Sequence, residues 1–114
     1  LLYMARKIPH LRIFPDEAGK FALSAAHLGL SVLVVSQFTL YGDVRRGKRP
    51  DFLLAEGYET ARDLYERFLL LLKAEVGEDR LKWGPFGAMM RVHLTNDGPV
   101  TIWIDSREKL EQVK

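Results

Sequence analysis

Hydrophobic and polar positions along the 114-residue chain fall into a few distinct rhythms. The longest runs from Tyr58 to Val76, where Tyr58, Ala61, Tyr65, Phe68, Leu69, Leu72 and Val76 recur at three- and four-residue spacing and Glu59, Arg62, Asp63, Glu66 and Arg67 fall elsewhere. This spacing predicts an amphipathic helix terminated by Gly77. Its charges are spaced to pair with one another, Glu59 with Arg62 and Asp63 with Arg67, so the helix reads as scaffold and not as a source of catalytic carboxylates. Residues 31–40 behave differently. Val32, Leu33, Val34 and Val35 are consecutive and apolar, which predicts a strand covered on both faces at the middle of a sheet. Ser36, Gln37 and Thr39 emerge at its C-terminal end, where ligand crevices open in α/β sheets. Taken alone, they read more readily as closing the strand by local hydrogen bonds than as lining a crevice.

The remaining segments are shorter. Leu1, Leu2, Met4, Ala5 and Ile8 have helical spacing, and Pro9 is expected to stop that helix. The first residue is not Met and the opening reads like the middle of an element, so we expect an N-terminal segment to be lacking. Leu11-Arg12-Ile13-Phe14 alternates as a strand, residues 15–20 form a turn, and Phe21-Ala22-Leu23 pairs back across it. Leu81-Lys82-Trp83 predicts a strand before the bend Gly84-Pro85-Phe86-Gly87. Ala88, Met90, Val92 and Leu94 then alternate with polar or exposed positions, as do Val100, Ile102 and Ile104, predicting an antiparallel pair around Asn96-Asp97-Gly98-Pro99. The charged last residues predict a frayed helical tail.

Composition narrows the chemistry. With 47% hydrophobic residues the chain is expected to be one domain over residues 1–114, and without cysteine it holds no disulfide, thiolate metal site or Cys nucleophile. No apolar run has the length of a membrane span, which makes a soluble cytoplasmic protein the default expectation. A net charge of +2 demands no polyanionic partner. Locally, however, Arg45, Arg46, Lys48 and Arg49 surround Gly47 and can follow a phosphate backbone, with a solvated loop as the alternative. A triad of Ser36, His93 and Asp97 lacks the strand–turn–helix elbow that exposes a nucleophilic serine. Thr39 has no base beside it, and His10 and His27 have no second ligand at metal spacing. Backbone and substrate must therefore supply most of any catalytic machinery. Gly98-Pro99 is a candidate cis bond that would aim neighbouring carbonyl oxygens in a fixed direction.

Four segments together resemble a known family. Val34-Val35-Ser36-Gln37-Phe38-Thr39-Leu40, Arg46-Gly47-Lys48-Arg49-Pro50-Asp51-Phe52, Phe86-Gly87-Ala88-Met89-Met90 and Asn96-Asp97-Gly98-Pro99-Val100-Thr101 are similar to the signature segments of D-aminoacyl-tRNA deacylases, in the same order. The resemblance implies an α/β fold: a compact single domain of layered mixed β-sheets with a long amphipathic helix (β/β/α), working as a homodimer. The family's N-terminal strands have no counterpart here. The implied reaction is hydrolysis of the ester between a D-amino acid and the 3′ adenosine of tRNA, without cofactor or metal. By the same resemblance Ser36, Gln37, Phe38 and Thr39 form the catalytic segment, with the Phe38 N–H as oxyanion donor. Phe86 and Met90 close on the adenine end, while Asn96, Gly98 and Pro99 contact substrate, the Gly-Pro element checking chirality in the partner's site. Arg45, Arg46, Lys48 and Arg49 are the expected tRNA phosphate contacts. A catalytically inactive RNA-binding or adaptor protein of the same fold is the alternative.

Overall fold

The computed structural model describes residues 1–108; the expected C-terminal tail lies mostly outside them. Helix α1 (Leu2–His10) leads to the hairpin of β1 (Phe14–Pro15) and β2 (Phe21–Leu23), then to a short helix α2 (Ala25–Leu28). Strand β3 (Val32–Val34) follows, then a 3-10 turn over Phe38–Tyr41, a basic loop, helix α3 (Tyr58–Val76) and strand β4 (Leu81–Trp83). β1 and β2 pair antiparallel; β3 and β4 pair parallel, with Val32 opposite Leu81 and Val34 opposite Trp83. Both kinds of pairing and the long crossover helix make this the mixed α/β fold expected.

The crossover helix is stable because its apolar face is buried. Leu72 and Val76 of α3 meet Ala5 of α1 and Leu81 of β4, with Val32, Val34, Phe68, Leu69 and Leu71 packed around them. Gly77 ends the helix as predicted. Its surface pairs are Asp63 with Arg67, as expected, and Arg62 with Glu66 at 3.3 Å in place of Glu59. The four-residue spacing brings the latter two side chains into closer register than three does in this orientation, and such exposed pairs add little stability.

Several expectations need correction, beginning with the strand expected over residues 11–14, which is paired only at Phe14–Pro15. Pro9 does not stop α1 but lies inside it, fully buried, and the helix closes one residue later through Leu11 N–H donating to Ile8 O. Proline's fixed φ fits the last turn, and burial of its ring offsets the lost donor. The apolar run at 31–40 is not a long strand covered on both faces. Only Val32–Val34 is paired, and Leu33 is 65% exposed because the two-stranded sheet is covered by α3 on one side only. Finally, residues 88–104 form no ladder. A strand exists through its partner's hydrogen bonds, and none of the described residues pairs with this stretch, which leaves Met89, Leu94 and Trp103 exposed.

Candidate functional site

Strand β3 delivers Ser36, Gln37, Phe38 and Thr39 at its C-terminal end, as the sequence indicates. Ser36 is half-buried and the next three are exposed. The chain folds into a 3-10 turn here because Gln37 is extended (φ −152, ψ 90) and Gly42 N–H returns to Thr39 O at 2.9 Å. The approach is close: a Cβ at Gly42 would stand 3.0 Å from that carbonyl and 3.1 Å from the Phe52 ring. The Phe38 ring meets Phe52 edge-on at 5.0 Å. Phe38 starts the turn, so its N–H has no acceptor within it. The Gln37 amide donates to Thr39 Oγ1 at 2.6 Å. No base is hydrogen-bonded to the Thr39 hydroxyl among the described residues.

A second cluster adjoins the first. Gly84 follows β4 and donates its N–H to Val34 O at 2.9 Å, extending the β3–β4 pairing by one bond. Met90 folds over Gly84, where a Cβ would lie 2.9 Å from its Sδ and 4.0 Å from Val35 Cγ2. Phe86 stacks at a tilt on Tyr65, centroids 5.6 Å apart, and edge-on against Tyr58 at 5.2 Å. Tyr65 in turn donates its hydroxyl to Gly84 O at 2.6 Å and approaches Val34 O at 3.3 Å. Burial pushes the Tyr65 phenol up from its usual range. Phe86 and Met90 are thus gathered at the end of the strand that carries Ser36. Sequence reading assigned Tyr65 only to the apolar helix face; its distance in sequence from Gly84 and Val34 hides the contact.

The basic loop is closed at its neck by paired Asp43 and Asp51 backbones, with N–H to O distances of 2.7 and 3.0 Å. Arg45 does not project freely: it forks onto Asp43 at 2.8 and 2.9 Å, holding that carboxyl down at about 2. Arg46, Lys48 and Arg49 are exposed and make no ion pair among the described residues. Near the 3-10 turn, Arg107 chelates Asp105 and lies 5.8 Å from the Tyr41 ring centre. Neither contact follows from spacing alone.

The turn at 96–101 is exposed and self-fastened. Asn96 donates to Thr101 Oγ1 at 3.1 Å and accepts from Val100 N–H at 3.3 Å, so its amide braces the turn. Gly98-Pro99 is a cis peptide, and Gly98 sits at φ +145. No hydrogen bond joins this turn to the Ser36–Thr39 segment of the same chain among the described residues. Ser36, His93 and Asp97 form no hydrogen-bonded triad there either. A concavity of about 630 Å³ lies elsewhere, lined by His10, Arg12, Ser24 and His27 among others. No helix among the described residues is long and apolar enough to cross a membrane.

Together these features define an α/β protein whose candidate site is built from aromatic rings and main-chain groups, without a hydrogen-bonded catalytic triad among the described residues. The family model for D-Tyr-tRNA(Tyr) deacylase matches residues 1–105. The chain is 55% identical over 107 residues to a D-aminoacyl-tRNA deacylase of Thermus aquaticus, covering 94% of this chain and 69% of that protein. It is 51% identical over 110 residues to one from Cyanothece sp. (strain PCC 7425 / ATCC 29141), covering 96% and 69%. Among solved structures, the c-Myc DNA Unwinding Element Binding Protein superposes with a TM-score of 0.83 at 46% identity, over 91% of this chain and 70% of that one. The chain belongs to the D-Tyr-tRNA(Tyr) deacylase family.

Proposed function

We propose that the protein hydrolyses the ester joining a D-amino acid to the 3′ adenosine of tRNA, releasing the free D-amino acid and tRNA in the cytoplasm. The observation that carries this reading is the gathering of Phe86 and Met90 beside the end of β3, next to a turn whose first N–H lacks an internal acceptor. An aromatic and a thioether wall suit a purine, and a main-chain donor suits a developing oxyanion. Water adds to the ester carbonyl, the tetrahedral oxyanion is held by the Phe38 N–H, and collapse expels the ribose oxygen. That oxygen takes up the proton lost by the water, with the neighbouring ribose hydroxyl as relay.

In this proposal the protein is a homodimer. Leu33, Met89, Leu94 and Trp103 are exposed, and pairing of two copies would cover apolar side chains of this kind. The Gly98-Pro99 turn reaches into the partner's site, where its carbonyls grip the α-amino group and leave no room for a side chain on the L face. Glycine carries hydrogen on both faces, so a steric filter of this kind accepts glycyl-tRNA as well.

A deacylation assay with D- and L-tyrosyl-tRNA tests the proposal. Cleavage of the D ester alone is expected; salt-sensitive RNA binding without any ester cleavage would instead assign the chain a binding role. Thr39→Ala separates two mechanisms. Because Thr39 has no base, its hydroxyl acts as pocket wall and hydrogen-bond partner, and the substitution should lower kcat about tenfold. A loss of about 10⁴-fold or more with unchanged tRNA binding would make it the nucleophile.

The exposed loop supplies the second contact with tRNA. Replacing Arg46, Lys48 and Arg49 together by Ala should raise KM most at low salt and flatten the dependence of log KM on log salt by about 2 to 3, with kcat unchanged. Arg45 braces the loop neck instead, so Arg45→Ala should weaken binding less than the triple substitution. Equal salt slopes in the wild type and the triple variant would remove the loop from the interface.

A further inference from the structure

Tyr65 sends its hydroxyl out of α3 to bond main chain elsewhere. Its hydroxyl reaches Gly84 O at 2.6 Å, nineteen positions away in sequence, and Val34 O at 3.3 Å, thirty-one positions away. These carbonyls belong to the last residue of β3 and the first after β4, and Gly84 N–H already bonds Val34 O. Two residues beyond Val34 is Ser36; two beyond Gly84 is Phe86. The Tyr65 ring itself lies against Phe86, and Met90 Sδ rests 2.9 Å from where a Gly84 Cβ would stand. One phenol therefore touches both strand exits and one wall of the candidate cleft.

From this geometry we infer that Tyr65 is a positioning residue for the reaction: its hydroxyl fixes the spacing between the Ser36–Thr39 turn and the Phe86–Met90 wall, and so sets how tightly the adenosine end of the substrate is held. The inference rests on the proposed role of Phe86 and Met90. The hydroxyl does not touch the substrate and takes no part in proton transfer. Without it, Gly84 O loses its donor, the bend at Gly84 is released from α3, and Phe86 keeps only its ring contacts.

The consequence is a binding defect in a folded protein. Tyr65→Phe keeps the ring, its contacts with Phe86 and its place on α3, and removes only the hydroxyl. It is expected to raise KM for D-tyrosyl-tRNA about tenfold with kcat within about twofold of wild type. A residue that merely stabilised the fold would lower the melting temperature and leave KM unchanged. Phe86→Ala is expected to raise KM further, and the double variant to match Phe86→Ala alone, since Tyr65 acts through the wall that this change removes.

The four proteins, assayed as full chains for KM and kcat with D-tyrosyl-tRNA, separate the possible failures. An unchanged KM in Tyr65→Phe overturns the positioning role, as do effects that simply multiply in the double variant. If Phe86→Ala leaves KM unchanged, the assignment of the wall to substrate is what fails, and the role of Tyr65 falls with it. A tenfold rise in KM together with non-additivity establishes the inference.

Discussion

Gly98→Ala is expected to reduce kcat/KM for D-tyrosyl-tRNA by about a hundredfold or more while leaving the melting temperature nearly unchanged. Gly98 sits at φ +145, a conformation that side chains rarely adopt, and an added Cβ would meet Val100 N at 3.2 Å. Among the described residues the hydrogen bonds of the turn are its own, through the Asn96 amide on Val100 and Thr101, so it relieves the clash by moving as a unit. In the proposed mechanism the carbonyls of this turn face the α-amino group, and a shift of about 1 Å in them suffices for such a loss. The same exposure keeps the change from unfolding the domain. Initial rates and a thermal melt on one preparation check both halves; wild-type turnover in Gly98→Ala would place chirality reading elsewhere.

Leu72→Ala is expected to have the largest effect on stability, about 2 to 5 kcal/mol. Leu72 has no solvent exposure, and among the described residues Ala5, Val76 and Leu81 share its buried hydrophobic cluster. A core this narrow has few side chains able to collapse into the space left behind. Since a whole domain is stable by only about 5 to 15 kcal/mol, the variant should lose a large fraction of its stability. With a urea slope of about 1 to 3 kcal/mol per molar, the unfolding midpoint should fall by about 1 M or more. An unchanged midpoint would mean that α1, α3 and β4 are not the structural centre.

The parts of the fold that the sequence predicts well are those with a self-contained periodicity. Helix α3 carries five turns of apolar spacing and its own stop at Gly77, and it forms as read. Strand β4 and the pairing of Phe21–Leu23 across the turn follow likewise from short local signals. Segments whose structure depends on a partner are misread. Four consecutive apolar residues at Val32 to Val35 suggest cover on both faces, but that count cannot tell how many layers the sheet has. The alternation in residues 88–104 marks a face fit for burial without naming what covers it, and the chain there stays unpaired.

The candidate site divides along the same line. The strand exit at Ser36–Thr39 is readable because the apolar run of β3 ends there, whereas Phe86 and Met90 enter only through the family resemblance, and the strand expected to carry Met90 does not form among the described residues. The fork between Arg45 and Asp43 was missed because a run of cations reads as one patch until a neighbouring carboxylate claims a member. Asn96 likewise braces its own turn, a use that its side chain shares with every Asx turn. The Tyr65 hydroxyl was missed because no spacing rule links a helix to two distant carbonyls.

In the proposed mechanism handedness is read by fixed main-chain atoms and the space they leave, with no reactive side chain involved. Side-by-side cleavage of D-tyrosyl-, glycyl- and L-tyrosyl-tRNA by the wild-type protein tests this most directly. The account predicts that the D ester and the glycyl ester are both hydrolysed and the L ester is spared. Complete resistance of glycyl-tRNA at enzyme concentrations that cleave D-tyrosyl-tRNA, or cleavage of the L ester at a comparable rate, would contradict it.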